Sequence, residues 1–128
     1  MAYEINRSEV VAEVRGAFHR YNAALDANDV AALNGWFWDS PSTVRFGIGE
    51  NLFGYAKIAK FRSEKWTPGR SRHLVVLGIL TLGDDFAITS AVFSREGSEG
   101  ISRQSQTWAR FPEGWRIVAA HVSPLPHK

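Results

Sequence analysis

Apolar residues in the first part of the chain fall at Val10, Val14, Ala17, Phe18, Tyr21, Ala24 and Leu25, with polar or small residues between them. Steps of three and four keep to one side of a helix, so this stretch predicts a long amphipathic helix. Asn6 and Glu9, three residues apart, predict a capping box at its start. Asp26 to Asp29 breaks the pattern. Asp29 suits a helix-opening position, and Val30, Leu33, Trp36 and Phe37 predict a second, shorter helix closed by Asp39-Ser40-Pro41-Ser42. Thr43 to Phe46 predicts a short strand and Gly47-Ile48-Gly49 a turn. Tyr55 to Trp66 predicts a third helix, ahead of Pro68-Gly69.

The period then changes. Arg72 to Leu82 is rich in Val, Ile and Leu, and Gly83-Asp84-Asp85 is a turn. Phe86 to Arg95, Ile101 to Phe111 and Trp115 to Ser123 read as further strands, separated by turns at Glu96 to Gly100 and Pro112-Glu113-Gly114. Long strands joined by short turns predict an antiparallel meander. Helices followed by a sheet make an α+β fold. The expected architecture is a conical barrel: a curved, mainly antiparallel sheet with three N-terminal helices over its concave face. No linker or repeat divides the chain, so residues 1–128 predict a single domain. Such a cone offers a concave, apolar site for a small ligand.

Composition narrows the chemistry. The chain has no cysteine, which removes disulfides, thiolate metal sites and a cysteine nucleophile. Aromatics at 12% argue against disorder. The N-terminus is polar and lacks the apolar core of a signal peptide. The apolar stretch from Leu74 to Leu82 is broken by Gly78 and Thr81, and it falls far short of the roughly 18–20 residues of a membrane span. A cytoplasmic protein without membrane contact is the expectation. The net charge is only +2, but Lys57 to His73 carries six basic residues and Glu64, giving +5, which leaves −3 for the rest. That segment is a solvated helix face or a positive rim that steers small anions. It is short and poor in interleaved aromatics, so nucleic acid is not expected as a partner.

Tyr21 lies in the apolar stripe of the first helix. It is either a core tyrosine bonded to a backbone carbonyl or a phenol aimed into the cone, able to donate to a carbonyl or a leaving nitrogen. Arg45 lies in the short apolar strand. It faces solvent, pairs structurally with Glu50, or turns its guanidinium inward as a fork for a carboxylate. An anionic substrate would offset the cost of burying it. Gln104, Gln106 and Trp108 share one face of the penultimate strand. His121 shares a face with Trp115 and Ile117, unless a β-bulge switches it. It reads as a general base or as a structural histidine at a subunit interface.

Other motifs fail. The four histidines are too scattered for a metal signature, and Gly47-Ile48-Gly49 lacks the third glycine of a dinucleotide loop. No metal and no cofactor are expected.

The order of elements resembles the SnoaL-like, ketosteroid-isomerase-like superfamily over nearly the whole chain. Arg20-Tyr21, Ala24-Leu25, Asp26 and Asp29 are similar to its first-helix region, and Gly114-Trp115-Arg116-Ile117 through Ser123 to its closing strand. That fold hosts isomerases, dehydratases, cyclases and non-enzymes. A ketosteroid isomerase uses a carboxylate base beside its tyrosine. This sequence has Arg45-Phe46 in the short strand, where the resemblance places that base.

A narrower resemblance is to the AtzH-like group, which includes an oxalurate-catabolism protein. It is carried by Trp36-Phe37-Trp38, Arg45 to Glu50, Phe61-Arg62, Arg103 to Trp108 and Ala119 to Ser123. The resemblance implies a homodimer acting on small carboxylated ureas, with Tyr21 and Arg45 at the positions of a catalytic tyrosine and arginine. The activity it implies is decarboxylation of 1,3-dicarboxyurea to allophanate. On this reading Trp36 and Trp38 exclude water as apolar walls, and Glu50, Gln104, Gln106, Trp108 and His121 line the substrate site. The alternatives are a non-catalytic protein that binds an oxalurate-like anion or assists an amidohydrolase partner, and an isomerase or cyclase on a hydrophobic ligand. Surplus aromatics in the sheet, such as Trp108 and Trp115, also fit a homodimer formed through the sheet.

Overall fold

A computed structural model describes residues 2–64, 72–95 and 100–126. Helix α1 spans Ser8–Asp26, α2 Val30–Gly35 and α3 Tyr55–Glu64. Strands β1 (Val44–Phe46) and β2 (Asn51–Phe53) lie between α2 and α3. Strands β3 (Arg72–Leu82), β4 (Phe86–Arg95), β5 (Ile101–Phe111) and β6 (Gly114–Leu125) complete the chain. They form one six-stranded sheet in the order β2-β1-β6-β5-β4-β3, antiparallel except where β1 runs parallel to β6. The curved α+β plan and the meander are as expected from the residue pattern. Among the described residues, no helix is long and apolar enough to cross a membrane.

The buried face of α1 is Val10, Val14, Ala17, Phe18, Tyr21 and Ala24, the predicted stripe. The capping box is a correction. Arg7 occupies the cap position and its side chain caps nothing. Asn6 adopts φ 57°, a left-handed conformation that asparagine tolerates. Its side-chain oxygen accepts from the Thr81 N–H at 2.9 Å, and its own N–H donates to the Thr81 carbonyl at 3.1 Å. Asn6 therefore fastens the N-terminus to the end of β3. Asp29 does cap α2, accepting from the Ala32 N–H at 3.1 Å.

α2 stops earlier than its pattern predicts. The Trp36 carbonyl accepts from the Ile117 N–H at 2.8 Å, and the Trp38 N–H donates to the Ile117 carbonyl at 3.0 Å. Pairing with β6 offers these backbone groups partners that a lengthened helix would forgo. β2 was not anticipated, because three residues are too few to display a period. The predicted third helix extends beyond Glu64 to Trp66, and that end lies outside the described residues, as do Lys65, Arg70, His127 and most of the Glu96 to Gly100 turn.

The core sits between α1 and the sheet. Trp108, Leu33, Ile117 and Val14 are fully buried. An aromatic of this size in a core is worth about 3–5 kcal/mol against alanine. In β5, Ser102, Gln104, Gln106 and Trp108 face inward, and Arg103 and Ser105 face out. In β6 the register passes from Trp108 opposite Ile117 to Thr107 opposite Ala119, so Val118 bulges. Trp115, Ile117 and Ala120 thus all point inward and His121 outward.

Candidate functional site

The sheet register sets Arg45 opposite Ala120, Ala120 opposite Gln106 and Gln106 opposite Thr89. Side chains directly opposite share a face, so Arg45 lies on the inner face, in one row with Ala120, Gln106 and Thr89. Its side chain is 11% exposed, and its Nη1 donates to Glu50 Oε1 at 2.8 Å. Its guanidinium lies 5.8 Å from the Phe61 ring centre. The Gly47-Ile48-Gly49 turn brings Glu50 back over the strand, and the Gly49 N–H donates to its second oxygen at 3.2 Å. Gly47 leaves room for this pair: a Cβ at that position would stand 1.8 Å from Glu50 Oε1 and 2.8 Å from Arg45 Nη1, so the Glu50 carboxylate would have to move. Glu50 engages one guanidinium nitrogen, which leaves Nε and Nη2 without a hydrogen-bond partner among the described residues. A carboxylate can take those two in a fork.

Tyr21 comes down from α1 and is 2% exposed. Its ring meets Phe37 edge-on at 6.0 Å. Its hydroxyl oxygen accepts from Arg62 Nη2 at 3.3 Å, in place of the backbone bond that a purely structural tyrosine was expected to make. A guanidinium has only donors. The phenol is therefore the acceptor in this contact, and its own proton is directed elsewhere. Arg62 is 3% exposed on α3.

Reading the sequence missed Arg62 as a site residue, because it sits within a basic run. The signal was present: Arg62 falls four residues after Ile58, and both are on the buried face of α3. Phe61 and Arg62 join the two halves of the site, Phe61 beside Arg45 and Arg62 on Tyr21.

The sheet adds a buried polar chain. Trp108 Nε1 donates to Thr89 Oγ1 at 3.0 Å, and Thr89 Oγ1 donates to Gln106 Oε1 at 3.4 Å. Gln104 lies at the preceding inward position of β5, 6% exposed, and its Oε1 is buried without a hydrogen-bond partner among the described residues. Arg72, at the start of β3, donates to Asn22 Oδ1 at 2.8 Å and lies 4.1 Å over the Phe93 ring. Burial lowers its pKa from the usual guanidinium value and the nearby Arg95 lowers it further, while Asp26 and Tyr21 act in the opposite direction.

Three expectations change. His121 is exposed on the outer face, where its ring meets Phe46 edge-on at 5.8 Å, so the bulge removes it from the inner surface. Trp38 stacks on Phe111 at 5.1 Å, at the opposite end of β5 from Gln104. Trp36 is half-buried, edge-on to Trp108 at 6.1 Å and flanked by the Arg20 and Arg116 guanidiniums at 5.8 and 5.9 Å. These two tryptophans pack the end of the sheet that Trp108 fills and do not flank Arg45. The structure pairs Arg45 with Glu50 and Tyr21 with Arg62, and the sheet register puts Gln104 and Gln106 on the same inner face as Arg45.

A curved, mostly antiparallel six-stranded sheet with helices on one face is the plan of the nuclear-transport-factor-2-like, or cystatin-like, class of α+β proteins. The solved structures agree. A cystatin-like fold protein from Burkholderia xenovorans LB400 is 41% identical, with a TM-score of 0.93 over 99% of this chain and 100% of that one. A protein of unknown function of the DUF3225 family from Pectobacterium atrosepticum SCRI1043 is 50% identical, with a TM-score of 0.90 and 94% of each chain covered. An NTF2-like superfamily protein from Salmonella enterica serovar Typhimurium is 27% identical, with a TM-score of 0.71 over 94% of each chain. No curated protein matches the sequence. The AtzH-like family model matches residues 3–128, and the chain belongs to the AtzH-like family.

Proposed function

We propose that this protein is a cofactor-free carboxy-lyase acting on a small N-carboxylated urea, with 1,3-dicarboxyurea as substrate. The observation that carries the reading is the Tyr21 hydroxyl, whose acceptor side is taken by Arg62, above a face where Arg45 keeps two donor nitrogens for an anion. In decarboxylation the bond between a urea nitrogen and its carboxylate carbon breaks. The electron pair stays on nitrogen, carbon dioxide leaves, and the nitrogen takes the Tyr21 proton. The products are carbon dioxide and allophanate, and solvent returns a proton to Tyr21.

Binding that is stronger in the ground state than in the transition state slows a reaction. Arg45 therefore serves best on the carboxylate that stays. Family membership supports the substrate class, and the arginine in β1 weighs against a ketosteroid-type base. Glu50 is already committed to Arg45, so it does not replace that base. Incubation with 1,3-dicarboxyurea is expected to yield carbon dioxide and allophanate in equal amounts. Tight calorimetric binding of oxalurate with no turnover would instead favour an anion-binding protein or an amidohydrolase accessory.

The active form is a homodimer joined through the outer sheet face. Leu80, Ile88, Phe53 and Phe86 are each 39–57% exposed on or beside that face. A cavity of about 260 Å³ opens there between Tyr3, Leu80, Phe86 and Ile88. Apolar patches of this kind mark interaction surfaces. Light scattering at micromolar concentration is expected to give twice the chain mass, and Ile88→Glu half of that. A monomeric wild type contradicts the assembly.

A further inference from the structure

We propose that Arg72, bonded to the residue that follows Tyr21 on α1, forms a second anion subsite, so that the site selects ligands carrying two carboxylates over those carrying one. This rests on Arg45 and Tyr21 being the ligand site. In the β3–β4 register Arg72 stands opposite Arg95, two residues beyond Leu74 opposite Phe93. Phe93 is buried on the inner face, so both arginines take that face at the end where β3 begins. Like charges directly opposite one another across a sheet are unfavourable. Neither arginine makes an ion pair with a described carboxylate. Arg72 is half-buried, held over Phe93 and oriented by the neutral Asn22 amide, the residue after Tyr21. An oriented, partly desolvated guanidinium facing a like charge is a site that an anion would relieve.

Arg45 alone gives the site little charge, because Glu50 neutralises it. Arg72, bonded to the neighbouring Asn22, adds a second guanidinium to the one that Arg62 already sets beside Tyr21. For the proposed reaction this has a consequence. The substrate has two carboxylates and the product one, so a site that reads both holds substrate more tightly than product and aids product release. Because Arg72 grips the ground state, its loss raises KM and leaves kcat unchanged or slightly higher.

The test is calorimetry with glutarate, a dianion, and with glutaramate, its monoamide and a monoanion of the same length. Wild type is expected to prefer glutarate by about 10-fold, the worth of one charge-assisted contact of roughly 1.5 kcal/mol. Arg72→Gln is expected to bind both alike, with its glutaramate affinity unchanged. Arg72→Lys, which keeps the charge, retains most of the preference and guards against a folding defect in the glutamine variant. Equal binding by wild type, or an undiminished preference in Arg72→Gln, overturns the second subsite and leaves the Arg45 reading standing. Binding of neither ligand by wild type overturns both. Binding that fails only in Arg45→Gln while Arg72→Gln behaves as wild type also rejects the proposal.

Discussion

Tyr21→Phe is expected to lower turnover of 1,3-dicarboxyurea by about 10²–10⁴-fold, the usual contribution of a placed proton donor, while substrate binding changes little. The substitution removes one oxygen and keeps the ring that packs on Phe37. Its cost to the fold falls on Arg62, which loses one of its contacts, the Tyr21 oxygen at 3.3 Å. A neutral hydrogen bond contributes about 1 kcal/mol, and one to a charged group about 1.5–3 kcal/mol, so the variant should fold and melt a few degrees lower. Stopped-flow release of carbon dioxide measures the effect. A rate within a factor of three of wild type would show that the phenol does not supply the proton. Arg62→Lys separates the two roles of the pair: it keeps a donor for the Tyr21 oxygen and should retain more activity than Arg62→Ala.

Arg45→Ala is the second large effect, and it should fall on binding. Two effects act in the same direction. The ligand loses its two-point partner, and Glu50, only 22% exposed, is left as an unpaired carboxylate facing the incoming anion. Losing a hydrogen bond to a charged group costs about 1.5–3 kcal/mol, so kcat/KM is expected to fall by about 10- to 100-fold or more. The double variant Arg45→Ala, Glu50→Ala is expected to regain stability without regaining affinity. Gly47→Ala should act the other way, keeping or raising anion affinity, because the new methyl group displaces the Glu50 carboxylate and leaves Arg45 in place. Affinity for glutarate and a thermal melt measured side by side check all three. Unchanged affinity in Arg45→Ala would mean that the pair with Glu50 is purely structural.

Much of this was legible in the residue pattern, for physical reasons that can be named. The α1 stripe and the four long strands each bury one face, so the period of apolar residues carries their identity. Strands β3, β4 and β5 begin and end where the turn residues place them. What escaped the pattern was set by contacts distant in sequence. Trp36 and Trp38 left the helix to pair with Ile117. Asn6 went to Thr81 and left α1 without its expected cap. His121 changed face because one residue, Val118, bulges in β6. Arg62 was hidden by its basic neighbours, although its spacing from Ile58 marked it as buried. The inward placement of Arg45 needed the parallel pairing of β1 with β6, which a strand of three residues does not announce.

The central claim is that Arg45 and Tyr21 act on one small anionic ligand, and a crystal structure of the protein soaked with a stable dicarboxylate tests it most directly. The account predicts a carboxylate seated on Arg45 Nε and Nη2, with a further polar atom of the same molecule within hydrogen-bonding distance of the Tyr21 hydroxyl. A ligand bound elsewhere, with Arg45 held by Glu50 alone and nothing beside Tyr21, would contradict it.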